Sequence, residues 1–200
     1  MRNSLLLWLI LLVSALVGCS STKMQSTRHA AAAGTPPFRS VMVVGMDQRQ
    51  DVREPFENDT VAYLRERGVD GVASYSRFGF DQVNGDKEQL RQLLQGAHQE
   101  SVLFVRVTQR ADFVEGAPPS LGSIDMGGVD ESAYVSFTEP GGEINTGFRL
   151  GARLFRVSDG VVVWSSVMTT IMKEDTDQLA FVRRTARAFV DRMAKDNVIP

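Results

Sequence analysis

Cysteine is almost absent from this 200-residue chain, with Cys19 as the single example. An intramolecular disulfide is therefore excluded. Histidine is nearly as scarce, with only His29 and His98. One thiol and two imidazoles cannot assemble the usual zinc spacings. They also leave little from which to build a nucleophile, a base and an orienting group. His29 sits in a segment with nothing to hold it still, and His98 falls near the end of a predicted helix, where a solvated histidine is the ordinary case. The chain lacks a G-x-S-x-G elbow, a P-loop and a G-x-G-x-x-G turn. It also lacks a spaced D-x-D-x-D-G calcium loop. A formal net charge of −2 gives no general argument for nucleic-acid binding. Only one long apolar run exists, and it lies at the N terminus, so nothing after it is expected to enter a bilayer. These absences point to a protein that is not an enzyme, with no catalytic residues, no metal site and no cofactor.

What is present begins with that N terminus. Arg2 supplies a positive charge, and Leu5 to Val17 is apolar apart from Ser14. The run is shorter than the ~20 residues that span a bilayer. A charged start, a short apolar core and small residues before a break form a secretory signal. Leu16-Val17-Gly18-Cys19 resembles a bacterial lipobox, in which the thiol accepts a diacylglycerol group and the signal is cut before it. Lipidation at Cys19 would consume an otherwise exposed thiol, and two or more acyl chains anchor a protein stably. Resemblance to Gram-negative lipoproteins also implies a sorting outcome. Ser20, rather than Asp, follows the cysteine, which implies the outer membrane with the domain on its periplasmic face.

Cleavage before Cys19 leaves 182 residues, enough for a single domain with an ample core. Three segments are expected: a lipoprotein signal over 1–18, a lipidated flexible tether over 19–38, and one periplasmic α/β domain over 39–200. Ser20 to Pro37 has almost no large apolar residue, and as coil it would span roughly 20–25 Å. Ser40 to Met46 reads as a buried strand. Pro55 is placed in the first turn of a helix whose Phe56, Thr60, Val61 and Leu64 recur at helical spacing, and Gly68 is placed to end it. Val69 to Tyr75 reads as a second strand. Asp86 caps a helix lined by Leu90, Leu93, Leu94 and Ala97. Ser101 to Val107 is a third strand that extends towards Val114. This order favours parallel pairing through right-handed crossovers.

The second half reads differently. Strands are expected over 132–138 and 144–157. Asp159-Gly160 signals a hairpin into Val161 to Met172. A helix from about Thr176 to Lys195 carries the stripe Leu179, Val182, Ala186, Phe189, Val190 and Met193. The fold class is therefore α/β (α+β): one domain with a mixed sheet of about five to six strands, β-α-β-α-β followed by antiparallel hairpins and a C-terminal helix. Trp164 is expected in the core.

Charge is unevenly distributed. From Ala111 to Phe148 there is no Lys or Arg, while Asp112, Glu115, Asp125, Asp130, Glu131, Glu139 and Glu143 give a local charge of −7. The remaining chain carries 22 basic and 17 acidic residues. An acidic stretch of this kind is either a solvated loop and hairpin or a face for a basic partner. Within it, Gly116 to Gly128 is turn-rich and poorly suited to regular structure. Arg149, Arg153, Arg156 and the arginines of the last helix form a local basic excess that suits solvent, anionic headgroups or acidic glycan.

The lipobox, the VMVVGM strand, the helix ending RERGVD, the SVLFVRV strand and the VSDGVVVWSS hairpin before a last helix ending DNVIP together resemble small Gram-negative envelope lipoproteins of unknown function. The fold this implies is similar to the N-terminal domain of the Tol-system periplasmic protein and to curli-secretion and penicillin-binding-protein-activator lipoproteins. Three functions compete. The first is a binding or scaffold module, held to the membrane by acyl chains on Cys19, that contacts another envelope protein through the acidic stretch or a sheet edge. The second is a lipid or small-ligand carrier, which requires an apolar cavity. The third is an envelope-polymer hydrolase, which requires converging carboxylates.

Overall fold

The computed structural model describes residues 22–84, 92, 96, 98–114 and 144–200. Six strands form one mixed sheet. They are β1 (Lys23–Arg28), β2 (Ser40–Gly45), β3 (Asp70–Ala73), β4 (Ser101–Val114), β5 (Ile144–Arg156) and β6 (Val162–Met172), in the order β1-β6-β5-β4-β2-β3. β2 pairs parallel with both β3 and β4, and the other pairings are antiparallel. The expected mixed sheet is thus present, with β3 shorter than the predicted strand because Ser74–Ser76 turns into a 3-10 helix.

The registers fix which ends of the chain lie together. Val114 stands opposite Ile144, Thr146 opposite Met172, and Lys23 opposite Thr169. β2 runs parallel to β4, with Gly45 opposite Val105. The start of β1, the ends of β2, β4 and β6 and the start of β5 therefore point the same way. β4 and β5 continue past the end of β2 as a projecting arm.

Helix α1 (Gln50–Glu66) and helix α3 (Gln178–Lys195) cover one face of the sheet. Alternation places Val41, Val43, Leu103, Val105, Leu150, Ala152 and Leu154 under them, with Trp164 fully buried. The opposite face holds Met42, Val44, Val102 and Phe104, with Phe78, Phe80 and Phe155 against them. α2 (Phe80–Val83) is a single turn at that face. Among the described residues no helix is long and apolar enough to cross a membrane.

Both long helices end in the same way. Gly68 is left-handed (φ 74°), Gly68 N–H donates to Arg65 O, and Val69 N–H donates to Leu64 O at 3.0 Å. Asn197 is left-handed too (φ 55°), with Asn197 N–H on Ala194 O and Val198 N–H on Met193 O. Each is a Schellman closure that satisfies the last carbonyls. At α3 the closure turns Val198 and Ile199 into the core. Asp177 caps the start of α3 by accepting from Ala180 N–H at 2.7 Å.

Two expectations need correction. Pro55 lies in the second turn of α1, because the helix begins at Gln50. The turn before it is organised by Asp47, which accepts the Arg49 N–H at 2.9 Å. The tether expectation also fails over 23–28. That segment is strand β1, paired with β6 from Lys23–Thr169 to Arg28–Trp164. The chain then makes a 3-10 turn at Ala30–Ala32, burying Ala32, and Phe38 is buried. Main-chain pairing to an open sheet edge needs no apolar side chains, which is why the composition suggested coil. The expected helix over 86–97 falls largely outside the described residues, and the strand over 132–138 falls wholly outside them.

Close packing of α1 on β3 depends on Gly71. A Cβ there would lie 3.2 Å from Val61 Cα and 3.3 Å from Val61 O, so the backbone of α1 itself would have to give way. We expect Gly71→Ala to destabilise by ~1–3 kcal/mol through forced separation of α1 from β3. A denaturant midpoint at unchanged slope would measure it.

Candidate functional site

A cleft of about 130 Å³ opens where β2 ends, between the first turns of α1 and α3 and the projecting β4–β5 arm. Crevices beyond the carboxyl ends of parallel strands are common binding positions in α/β sheets. Its walls are largely apolar, including Phe56, Val107, Phe148, Phe181 and Val182. The Phe148 and Phe181 rings sit 5.2 Å apart and tilted by 42°.

A bulge in β4 shapes this cleft. Val107 pairs with Leu150 and Gln109 with Arg149, leaving Thr108 as the extra residue. Thr108 Oγ1 donates to Arg149 O at 3.0 Å. The extra residue reverses the alternation beyond it. Arg110 therefore pairs with Phe148 and lies on the helix-bearing face, its guanidinium 5.7 Å from the Phe148 ring centre. Val107, on the same face, is left 42 % exposed.

Four arginines line the cleft: Arg49, Arg53, Arg106 and Arg110. Arg49 is held to Asp47 through Nε at 3.1 Å and Nη2 at 3.0 Å. Burial alone would raise the Asp47 carboxyl, but bonds from the Arg49 side chain and N–H outweigh it and hold it below the ordinary carboxylate value. Asp47 is therefore ionised at neutral pH and is not a proton donor there.

Arg53 belongs to a buried network. Glu57, with no exposed surface, accepts from Gly45 N–H at 2.9 Å, Arg53 Nε at 3.0 Å and Ser74 Oγ at 2.9 Å. Its other oxygen accepts from Tyr75 N–H at 2.8 Å. Arg53 Nη2 donates to Ser74 Oγ at 3.0 Å and Phe78 O at 3.1 Å. This network ties α1 to β2 and to the segment after β3, directly beneath the cleft. Its charges are mutually compensated, so its role is to fix the cleft floor. The sequence signal was an Arg and a Glu four residues apart on the first turns of a helix.

A second network closes β1 onto the domain. Asp196 Oδ2 accepts from Ser26 Oγ at 2.5 Å, Trp164 Nε1 at 2.8 Å and Arg192 Nε at 3.1 Å. Burial pushes the Asp196 carboxyl up, but these three donors outweigh it and hold it below its ordinary value. Trp164 is in the core as expected.

The residues anticipated from sequence fall as follows. Cys19 lies outside the described residues. Asp112 is in the backbone of β4, opposite Thr146 near the end of the arm. Glu115, Asp125, Asp130, Glu131, Glu139 and Glu143 lie outside the described residues. The basic residues do not form one patch. Arg149 and Arg153 are exposed on the face opposite α3, and Arg156 is paired with Asp159 in the β5–β6 hairpin at 2.6 Å. His29 is not free in a tether: its N–H donates to Val163 O and its Nε2 lies 2.9 Å from Ser165 Oγ. His98 is exposed. Among the described residues no three His, Cys, Asp or Glu side chains gather as a metal would require.

No family model matches this chain, and no curated protein does. Solved structures do. PelC of Paraburkholderia phytofirmans, a dodecamer, aligns over 84% of this chain and 93% of its own at 14% identity and a TM-score of 0.46. Lipoprotein GNA1162 of Neisseria meningitidis aligns over 78% and 98% at 16% identity and 0.45. A minor lipoprotein of Acinetobacter baumannii aligns over 82% and 97% at 9% identity and 0.41. All three likenesses are distant.

Proposed function

We propose that this chain is an envelope lipoprotein, acylated at Cys19, that serves as a non-enzymatic binding module for another envelope protein at the periplasmic face of the outer membrane. The lipobox-like Leu-Val-Gly-Cys supports the anchor. The observation that carries the binding role is the arginine-lined, apolar-walled cleft at the end of the sheet where β1 also begins. The acidic stretch, with Asp112 at its start, leaves and rejoins the sheet at that end, so its seven carboxylates serve as the proposed partner surface. A scaffold contact fits better than lipid carriage. Ligand pockets usually enclose ~300–1,000 Å³; the apolar-walled cleft, at about 130 Å³, is too small for a lipid, and the roomier groove beside α3 carries Lys173, Arg184 and Arg187 in its lining.

Site-specific photo-cross-linking in cells tests this. A cross-linker at Val107 or Glu131 is expected to capture one discrete envelope protein, and one at Arg153, on the opposite face, is not. Adducts only to lipid would replace the scaffold with a carrier. The anchor is tested separately. Cys19→Ser is expected to abolish incorporation of labelled palmitate and to shift the chain out of the membrane fraction.

A further inference from the structure

A second and larger groove, of about 480 Å³, runs between the end of β6 and the outer side of α3. Thr22, the first described residue, lines its mouth, and its Oγ1 lies 2.8 Å from Thr170 Oγ1. The groove is lined by Lys173, Arg184 and Arg187 together with Thr170, Thr176 and Thr185. Lys173 and Arg184 are exposed and have no ion-pair partner among the described residues. Arg187 rests 5.2 Å from the Tyr63 ring centre. The single carboxylate in the lining, Asp191, is paired with Arg67 at 2.6 Å. Asp177 is committed to the α3 cap, and Glu174 and Asp175 stand outside the lining. The polar part of the lining therefore presents cationic groups and hydroxyls, with its one negative charge already matched, beside the apolar Met168, Ile171, Phe181 and Ala188.

Position decides the occupant. Only three chain steps separate Cys19 from Thr22, and extended chain spans at most ~3.6 Å per residue, or about 11 Å in all. We propose that this groove seats the phosphates of anionic phospholipid headgroups. The groove then acts as the second membrane contact beside the acyl anchor and sets the orientation of the domain. This rests on the anchoring reading above. The acyl chains hold the domain at the surface without fixing its orientation, and Lys and Arg gain from an anionic surface within a Debye length.

The test uses residues 19–200 carrying Cys19→Ser, which hold every described contact and no acyl group. Binding is measured by co-sedimentation with phosphatidylcholine vesicles, with and without roughly a third of phosphatidylglycerol. Binding is expected only to the anionic vesicles, falling at least fivefold with Lys173→Glu/Arg184→Glu and lost in high salt. Arg149→Glu/Arg153→Glu, on the opposite face, is expected to leave it unchanged. Circular dichroism and the thermal midpoint confirm that each variant folds. Equal binding to neutral vesicles, no response to the groove variant, or full competition by millimolar inorganic phosphate would each overturn the proposal, the last by making the site one for free phosphate. Because this chain carries no acyl group, the result stands apart from the palmitate experiment. Loss of acylation with retained vesicle binding would fault only the anchor, and the reverse would fault only the groove.

Discussion

Glu57→Ala is expected to remove about 3–5 kcal/mol of stability, the largest loss of any single substitution considered for this domain. Glu57 is fully buried and Arg53 is 6% exposed. Deleting the carboxylate strands the guanidinium in a low-dielectric site and orphans the N–H groups of Gly45 and Tyr75 and the hydroxyl of Ser74. Unpaired buried donors cost far more than the pair itself contributes. Replacing both partners, as Arg53→Met/Glu57→Leu, removes the stranded charge but leaves the Gly45 and Tyr75 N–H groups unpaired, so only the part of the loss that comes from the guanidinium is expected to return. Urea unfolding of the two single variants and the double variant closes the cycle. A Glu57→Ala chain as stable as the parent would mean that the network does not hold the cleft floor.

Asp196→Ala is expected to cost ~2–4 kcal/mol and to release β1 from the sheet edge. Its Oδ2 is the shared acceptor for Ser26, the buried Trp164 indole and Arg192. Release is expected to expose residues 22–35 to limited proteolysis in the native state, a readout that core cavities elsewhere would not give. The same group sets an acid limit. Its folded value lies below the ordinary carboxylate value, so its contribution is complete above about pH 3.9. That contribution fades as pH falls from there through the folded value, since the folded state then binds its proton less readily than the unfolded chain. Asp196→Asn is expected to flatten stability against pH in that window. An unchanged acid limb would assign acid sensitivity to other carboxylates.

Much of this architecture is legible in the residues. VMVV and VLFV are unbroken apolar runs because parallel strands buried on both faces admit no alternation. Phe148, Leu150, Ala152 and Leu154 alternate with polar neighbours because one face of β5 meets the helices. Gly68 and the Asp159-Gly160 hairpin announced themselves by turn chemistry. Three features did not. β1, with the sequence KMQSTR, is held by main-chain bonds and one serine, neither of which leaves a hydrophobic pattern. The bulge at Thr108 is a register event between two distant segments, invisible in either one alone. An Arg and a Glu four residues apart on a helix carry no mark of burial, and only the approach of Ser74 and Gly45 shows that this pair is buried. The cleft inherits the last two difficulties, which is why its residues were missed while the surrounding strands were found.

The docking of β1 changes what kind of encounter this protein can have. A coil of 18 residues would let the domain roam through a volume, with a partner's bulk concentration governing capture. With β1 folded into the sheet, the anchoring proposed here confines the domain to a thin layer above the lipid. Its partner is then counted per unit area, and the encounter becomes a search in two dimensions at high effective concentration. A weak contact suffices under those conditions, provided the partner lives on the same surface.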